Sequence, residues 1–142
     1  MDNCIFCKIR EGIIPSHKIF EDEHVLAFLD ISQTTKGHSL VIPKKHIPNV
    51  FEMGADDMAH VFSVVPRIAN ALAETFGATG MNIVSNNHEV AGQTVFHFHV
   101  HLIPRYDETD TFAISYTNNM STYPQDVLKG LQADIAAKMG DN

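Results

Sequence analysis

Much of what builds common functional classes is scarce in this chain. Only two cysteines, Cys4 and Cys7, occur in 142 residues, and they sit close together near the start. That is too few and too close for a disulfide framework, so the Cys-x-x-Cys reads as a metal or redox pair. Basic residues are also few: 10 Lys and Arg stand against 17 Asp and Glu, for a formal net charge of −7. A broad surface for DNA or RNA phosphates is therefore excluded, and an anionic ligand has to be held by a local site. No apolar run approaches the roughly 20 residues needed to span a bilayer. Lys8, Arg10 and Glu11 interrupt any start resembling a signal peptide, which predicts a cytoplasmic protein without membrane contact. There is no internal repeat, no low-complexity tract and no glycine-rich phosphate loop of the Walker or Rossmann kind.

What is present suffices for one domain spanning residues 1–142, because 44% of the residues are hydrophobic. His17 to Glu21, Val25 to Asp30 and Ser39 to Pro43 are short β-branched or aromatic runs bounded by polar turns, and they predict three strands. From Asp56 to Phe76 apolar residues recur at Met58, Val61, Phe62, Val65, Ile68, Ala69, Leu72 and Phe76, one face of a long helix closed by Gly77. Pro66 within it predicts a kink. Met81 to Ser85 and Thr94 to Pro104 add two strands, for a total of five. A last helix, announced by Pro124 in its first turn, carries Val127, Leu128, Leu131, Ile135 and Met139. Strands, a long helix, more strands and a terminal helix predict an α+β domain with an antiparallel sheet.

The most informative residues are His97, His99 and His101. Successive strand side chains point to opposite faces, so the three imidazoles share one face, about 6.6 Å apart, while Phe96, Phe98, Val100 and Leu102 face a core. Each buried imidazole needs partners for two ring nitrogens, which argues against three of them as plain core filling. Two chemistries use this spacing. A metal hydrolase would take two of the histidines as ligands beside an activated water. A nucleophilic histidine would need neighbours that fix its tautomer and hold phosphate oxygens. Spacing alone leaves both open.

The run His97-Phe98-His99-Val100-His101-Leu102-Ile103 resembles the His-x-His-x-His-x-x motif of the histidine-triad (HIT) family. The similarity extends to Gly92-Gln93-Thr94-Val95, to Lys36 through His46, which resembles the family's fourth-histidine strand, and to Phe28-Leu29-Asp30-Ile31. It covers about residues 4–106, leaves 107–142 as a C-terminal segment with its own helix, and is closest to the bacterial Hint-like branch. The resemblance implies a HIT-like fold. It implies His99 as a nucleophile forming a nucleotidyl-histidine intermediate, with His101 and His38 completing the network around the phosphate. Asn86, Gly92, Gln93 and Thr94 would bind the phosphate or leaving group, Asp30 the ribose hydroxyls, and Ile5, Phe6, Ile9, Phe28 and Ile31 would wall the base.

The activity so implied is hydrolysis at the α-phosphate of purine nucleoside phosphoramidates or related adenylated compounds. A dinucleoside polyphosphate hydrolase and a nucleotide-binding interaction protein with little turnover are the alternatives. Relatives with the cysteine pair bring it together with two histidines, which implies a structural Zn2+ held by Cys4, Cys7, His46 and His97. The resemblance, with two amphipathic helices beside a small sheet, further implies a homodimer.

Overall fold

The computed structural model describes residues 3–140. Five strands form one antiparallel sheet in the order β1-β2-β3-β5-β4, with β1 at Lys18–Glu21, β2 at Val25–Leu29, β3 at Ser39–Pro43, β4 at Gly80–Val84 and β5 at Val100–Arg105. Three helices accompany it: α1 at Ile5–Arg10, α2 at Ala55–Phe76 and α3 at Gln125–Met139. The α+β expectation holds, with the long helix inserted between β3 and β4. No described helix is long and apolar enough to cross a membrane. The chain divides into two compact units, Met1–Phe112 and Ala113–Asn142.

In the first unit each face of the sheet buries its own cluster. Val25, Ala27, Val41, Val100 and Leu102 meet Val61, Val64, Val65, Ile68 and Leu72 of α2, with Phe98 among them. On the opposite face Leu26, Phe28, Leu40 and Ile42 meet Phe6 and Ile9 of α1. Helix α2 runs through Pro66 and ends as its sequence predicts, with Gly77 left-handed and its N–H donating to Ala73. Its buried stripe differs in detail from the one expected. Val64 lies inside, whereas Phe62 and Phe76 are more than a third exposed, the latter under the Lys36 ammonium.

The main departure concerns the histidine strand, expected from Thr94 but paired only from Val100. Continuing the register Val41↔Val100 by two residues would set Pro43 opposite Phe98, and Pro43 has no N–H to offer a ladder. The Phe98 N–H turns instead to the carbonyl of Ile47 at 2.6 Å. Strand β4 likewise ends at Val84, opposite His101. His97, in a bend, and His99 thus lie outside the sheet, and Phe96 is half exposed rather than in the core.

Helix α1 has no counterpart among the predicted elements. Six residues are too short to display a helical period. Its start is nevertheless chemically marked, because the Cys4 Sγ caps it by accepting the Cys7 N–H at 3.3 Å. In the second unit Pro124 precedes α3 as its N-cap residue, and every residue from 113 to 140 is exposed.

Candidate active site

A cleft of about 500 Å³ opens on the α1 face of the sheet. Of the residues singled out in the sequence, Ile5, Phe6, Ile9, Phe28, Asp30, Ile31, Asn86, Gly92, Thr94, His99 and His101 all line it. The apolar members gather around α1 and β2, with Ile14 and Pro15 added from the connection between α1 and β1. Those two and Ser16 escaped sequence reading because nothing in a loop advertises which face it covers. Ile31 contributes only as an exposed rim residue, 89% accessible.

The hydrogen bonds of His99, His38 and His101 fix their tautomers. His99 Nδ1 lies 2.8 Å from the carbonyl of His97. A carbonyl only accepts, so Nδ1 carries the proton and Nε2 keeps its lone pair. His38 is oriented the other way: the Thr34 N–H donates to its Nδ1 at 3.2 Å, which leaves the proton on Nε2. That Nε2–H points at His101 Nδ1, 2.9 Å away, with the Asp30 carboxylate 3.5 Å from the same nitrogen. His101 therefore holds its own proton on Nε2. The rings of His99 and His101 are 5.1 Å apart, and Phe6 sets its edge against His99 at 5.0 Å. An unprotonated nitrogen and an N–H donor thus stand side by side in one cleft.

Burial keeps these rings neutral. It draws His99 below the ordinary 6.5, against the opposing pull of the His97 carbonyl and the Asp30 charge. His101 is pushed down to about 4, first by burial and then by the neighbouring His99 and His38, with Asp30 opposing. Asp30, His38 and His101 are close enough to be considered as metal ligands. The 2.9 Å between His38 and His101 is a hydrogen bond, shorter than the roughly 3.3 Å that separates two nitrogens on one tetrahedral zinc.

A second cluster fits a metal. The ligand atoms of Cys4, Cys7, His46 and His97 all lie within 4.8 Å of one another. Sulfur-to-nitrogen distances are 3.4 Å for Cys4–His97, 3.3 Å for Cys7–His46 and 3.5 Å for Cys7–His97. Bonds of usual length to a tetrahedral zinc give an edge of about 3.6 Å, so these four residues could hold one with little movement. The His97 Nε2–H donates to the carbonyl of Pro43 at 2.8 Å, which leaves Nδ1 facing the sulfurs. His97 belongs to this cluster and does not line the cleft.

Gln93 is placed differently from the role implied for it. It is buried, its Oε1 accepts the His88 N–H, and its Nε2 donates to the carbonyls of Pro48 and Val95. Both ends of the amide are spent bracing the loop, and Asn86 and Thr94 are the polar side chains of that loop that line the cleft. Gly37, at φ +94°, lets His38 be reached: a Cβ there would meet the Phe76 ring at 3.1 Å. A separate apolar cleft beside Ile19, Val64 and Phe76 carries no such chemistry.

The HIT domain family model matches residues 11–108. The chain belongs to the HIT family. Protein hit of Bacillus subtilis is 49% identical over 99% of this chain and 97% of its own length. An adenosine 5′-monophosphoramidase of Schizosaccharomyces pombe is 36% identical over 96% and 98%. An adenylylsulfatase of Arabidopsis thaliana is 42% identical, over 73% of this chain and 53% of that protein. Among solved structures, a HIT family protein of Bacillus anthracis superposes with a TM-score of 0.94 at 53% identity, covering 96% of this chain and 97% of that one. A zinc-bound histidine triad family protein of Mycobacterium smegmatis gives 0.75 at 34% identity, covering 96% and 98%. The fold expected from the three histidines is thereby established, and the family includes nucleotide-derivative hydrolases.

The neutral, half-buried state of His101 makes this HIT domain sensitive to acid. An unfolded histidine binds a proton near 6.5 and the folded one only near 4, so the unfolded chain takes up more protons between those values. The stability held above pH 6.5 is then lost progressively as the pH falls toward 4. Chemical denaturation across this range should show a fall in unfolding free energy that is shallower in His101→Gln, and parallel pH profiles for the two proteins would contradict it.

Proposed function

We propose that the chain is a hydrolase acting on the α-phosphate of purine nucleoside phosphoramidates or related adenylated compounds. The observation that carries this reading is the unprotonated Nε2 of His99, held by the 2.8 Å bond from its Nδ1 to His97 and facing a cleft with apolar and polar ends. The base would lie among Ile5, Phe6, Ile9 and Phe28, and the ribose hydroxyls would donate to Asp30. His99 Nε2 would attack phosphorus, forming an N–P bond as the bond to the leaving nitrogen breaks; that nitrogen departs protonated, drawing its proton from solvent at the open mouth. His101 Nε2–H, backed by His38, would hydrogen-bond the phosphate oxygens, with Asn86 and Thr94 beside it. Water would then displace the nucleotide and restore the lone pair. The phosphoramidase and adenylylsulfatase among the relatives support this class.

Supplied with adenosine 5′-phosphoramidate and quenched in acid, the protein should carry one nucleotidyl group on His99. His99→Ala should lose at least three orders of magnitude in turnover while still binding nucleotide, because the Asp30 and base contacts stay in place. An active His99→Ala protein, or an adduct on another histidine, would overturn the assignment.

We infer that Cys4, Cys7, His46 and His97 hold a structural zinc, which would tie α1 to the bend before β5. The fit of their spacing to tetrahedral bonds and the zinc-bound relative support it. The metal takes no part in the reaction; it would keep the His97 carbonyl under His99. Elemental analysis of protein prepared without chelator should find about one zinc per chain, dropping on Cys7→Ser; metal-free protein of full stability would refute the site.

We further infer a homodimer in the cytoplasm. Helix α3 exposes Val127, Leu128, Leu131 and Ile135, and an isolated 15-residue helix is marginal in water, which supports a second copy as its cover. Two free cysteines suit a reducing compartment. Sedimentation at micromolar concentration should give twice the chain mass, and a monomer there would refute the dimer.

A further inference from the structure

His88 occupies a backbone conformation that a side chain normally avoids. Its φ of 71° and ψ of 160° fall in a region populated almost wholly by glycine, and it is the only non-glycine at positive φ among the described residues. The strain is held from several sides. His88 donates its N–H to Gln93 Oε1 at 2.8 Å, and its carbonyl accepts from the N–H groups of Ala91 and Gln93, each at 3.1 Å. Such a residue persists where the surrounding structure over-determines it, and this loop also supplies Asn86, Gly92 and Thr94 to the cleft.

The strained residue presents an imidazole stacked on Phe51, centroids 5.1 Å apart and planes 26° from parallel. Phe51 is 75% exposed, from the 3-10 turn at Val50–Glu52. That turn is fastened to the same loop: Asn87 Oδ1 accepts the Val50 N–H at 2.7 Å, and Gln93 Nε2 donates to Pro48. Two rings that bury little of each other, on rigidly joined segments, leave outer faces open to a third flat group.

Their position follows from the direction of the reaction. With base and ribose at the α1 end and Asp30, the phosphorus sits before His99. In-line displacement sends the leaving group to the side opposite His99, and the loop that carries His88 brings Asn86, Gly92 and Thr94 to the cleft; Phe51 and His88 do not line the cleft, so they would meet only a leaving group long enough to pass its rim. We propose that Phe51 and His88 form an aromatic shelf that selects the leaving group, favouring amines that carry a flat aromatic ring. The proposal rests on the phosphoramidate reading above.

The test compares kcat/KM for three adenosine 5′-phosphoramidates: the unsubstituted amide, its 2-phenylethyl derivative and its 2-cyclohexylethyl derivative. The last two match in size and differ in having or lacking a π-face. Wild type should favour phenyl over cyclohexyl by roughly three- to tenfold. Phe51→Leu and His88→Gly should each bring that ratio close to one, a change that a purely structural disturbance of the loop would not produce. A wild type indifferent to the two, or a preference surviving in both variants, would overturn the shelf. Turnover of none of the three by wild type would overturn the phosphoramidate reading itself, and the shelf with it.

Discussion

The site depends on a relay of two hydrogen bonds that begins at Pro43. A proline cannot donate to a ladder, so pairing with the histidine segment stops beside it. Its carbonyl takes the Nε2 proton of His97 at 2.8 Å, which commits His97 Nδ1 to the cysteines. Released from the sheet, the carbonyl of His97 takes the Nδ1 proton of His99 at 2.8 Å and so leaves His99 Nε2 unprotonated. Two backbone carbonyls, those of Pro43 and His97, thus set which nitrogen is protonated on two successive histidines.

An acidic chain handles an anionic ligand here without surface charge. With a net charge of −7, long-range attraction of phosphate is absent, and affinity has to come from donors set in place beforehand. The arrangement around His101 provides such a donor by order rather than by charge: Thr34 fixes His38, His38 fixes His101, and the final N–H faces the cleft. Burial holds the rings neutral, which preserves both the lone pair on one and the donor on the other. The cost is vulnerability to acid.

The loop from Asn86 to Thr94 works as one braced unit. Gln93 looks from the sequence like a phosphate ligand, yet its buried amide joins His88, Pro48 and Val95. An amide offers donor and acceptor at opposite ends of a rigid plane, which suits bridging better than a carboxylate or a lysine would. Asn86 and Thr94 are thereby carried on a support that does not need the ligand to order it.

Sequence by itself determined the period and the residue types. Alternation placed His97, His99 and His101 on one side and Phe98, Val100 and Leu102 on the other, and the helical spacing of Val61, Val65, Ile68 and Leu72 marked the face that covers them. These are local geometric facts, carried by backbone repeats of two and of 3.6 residues. The motif also identified Asp30, Asn86 and Thr94, which the cleft does bring together. Tertiary structure alone decided what surrounds each histidine. His97 and His99 carry the same side chain two residues apart, and only what lies around their rings in space, Cys4 and Cys7 for one and an open cleft for the other, tells them apart. The strand's late start and the short helix α1 were likewise hidden, because the first goes with a hydrogen bond to Ile47, distant in sequence, and the second is too short to repeat; the strain at His88 lies in a loop, where no period marks backbone conformation.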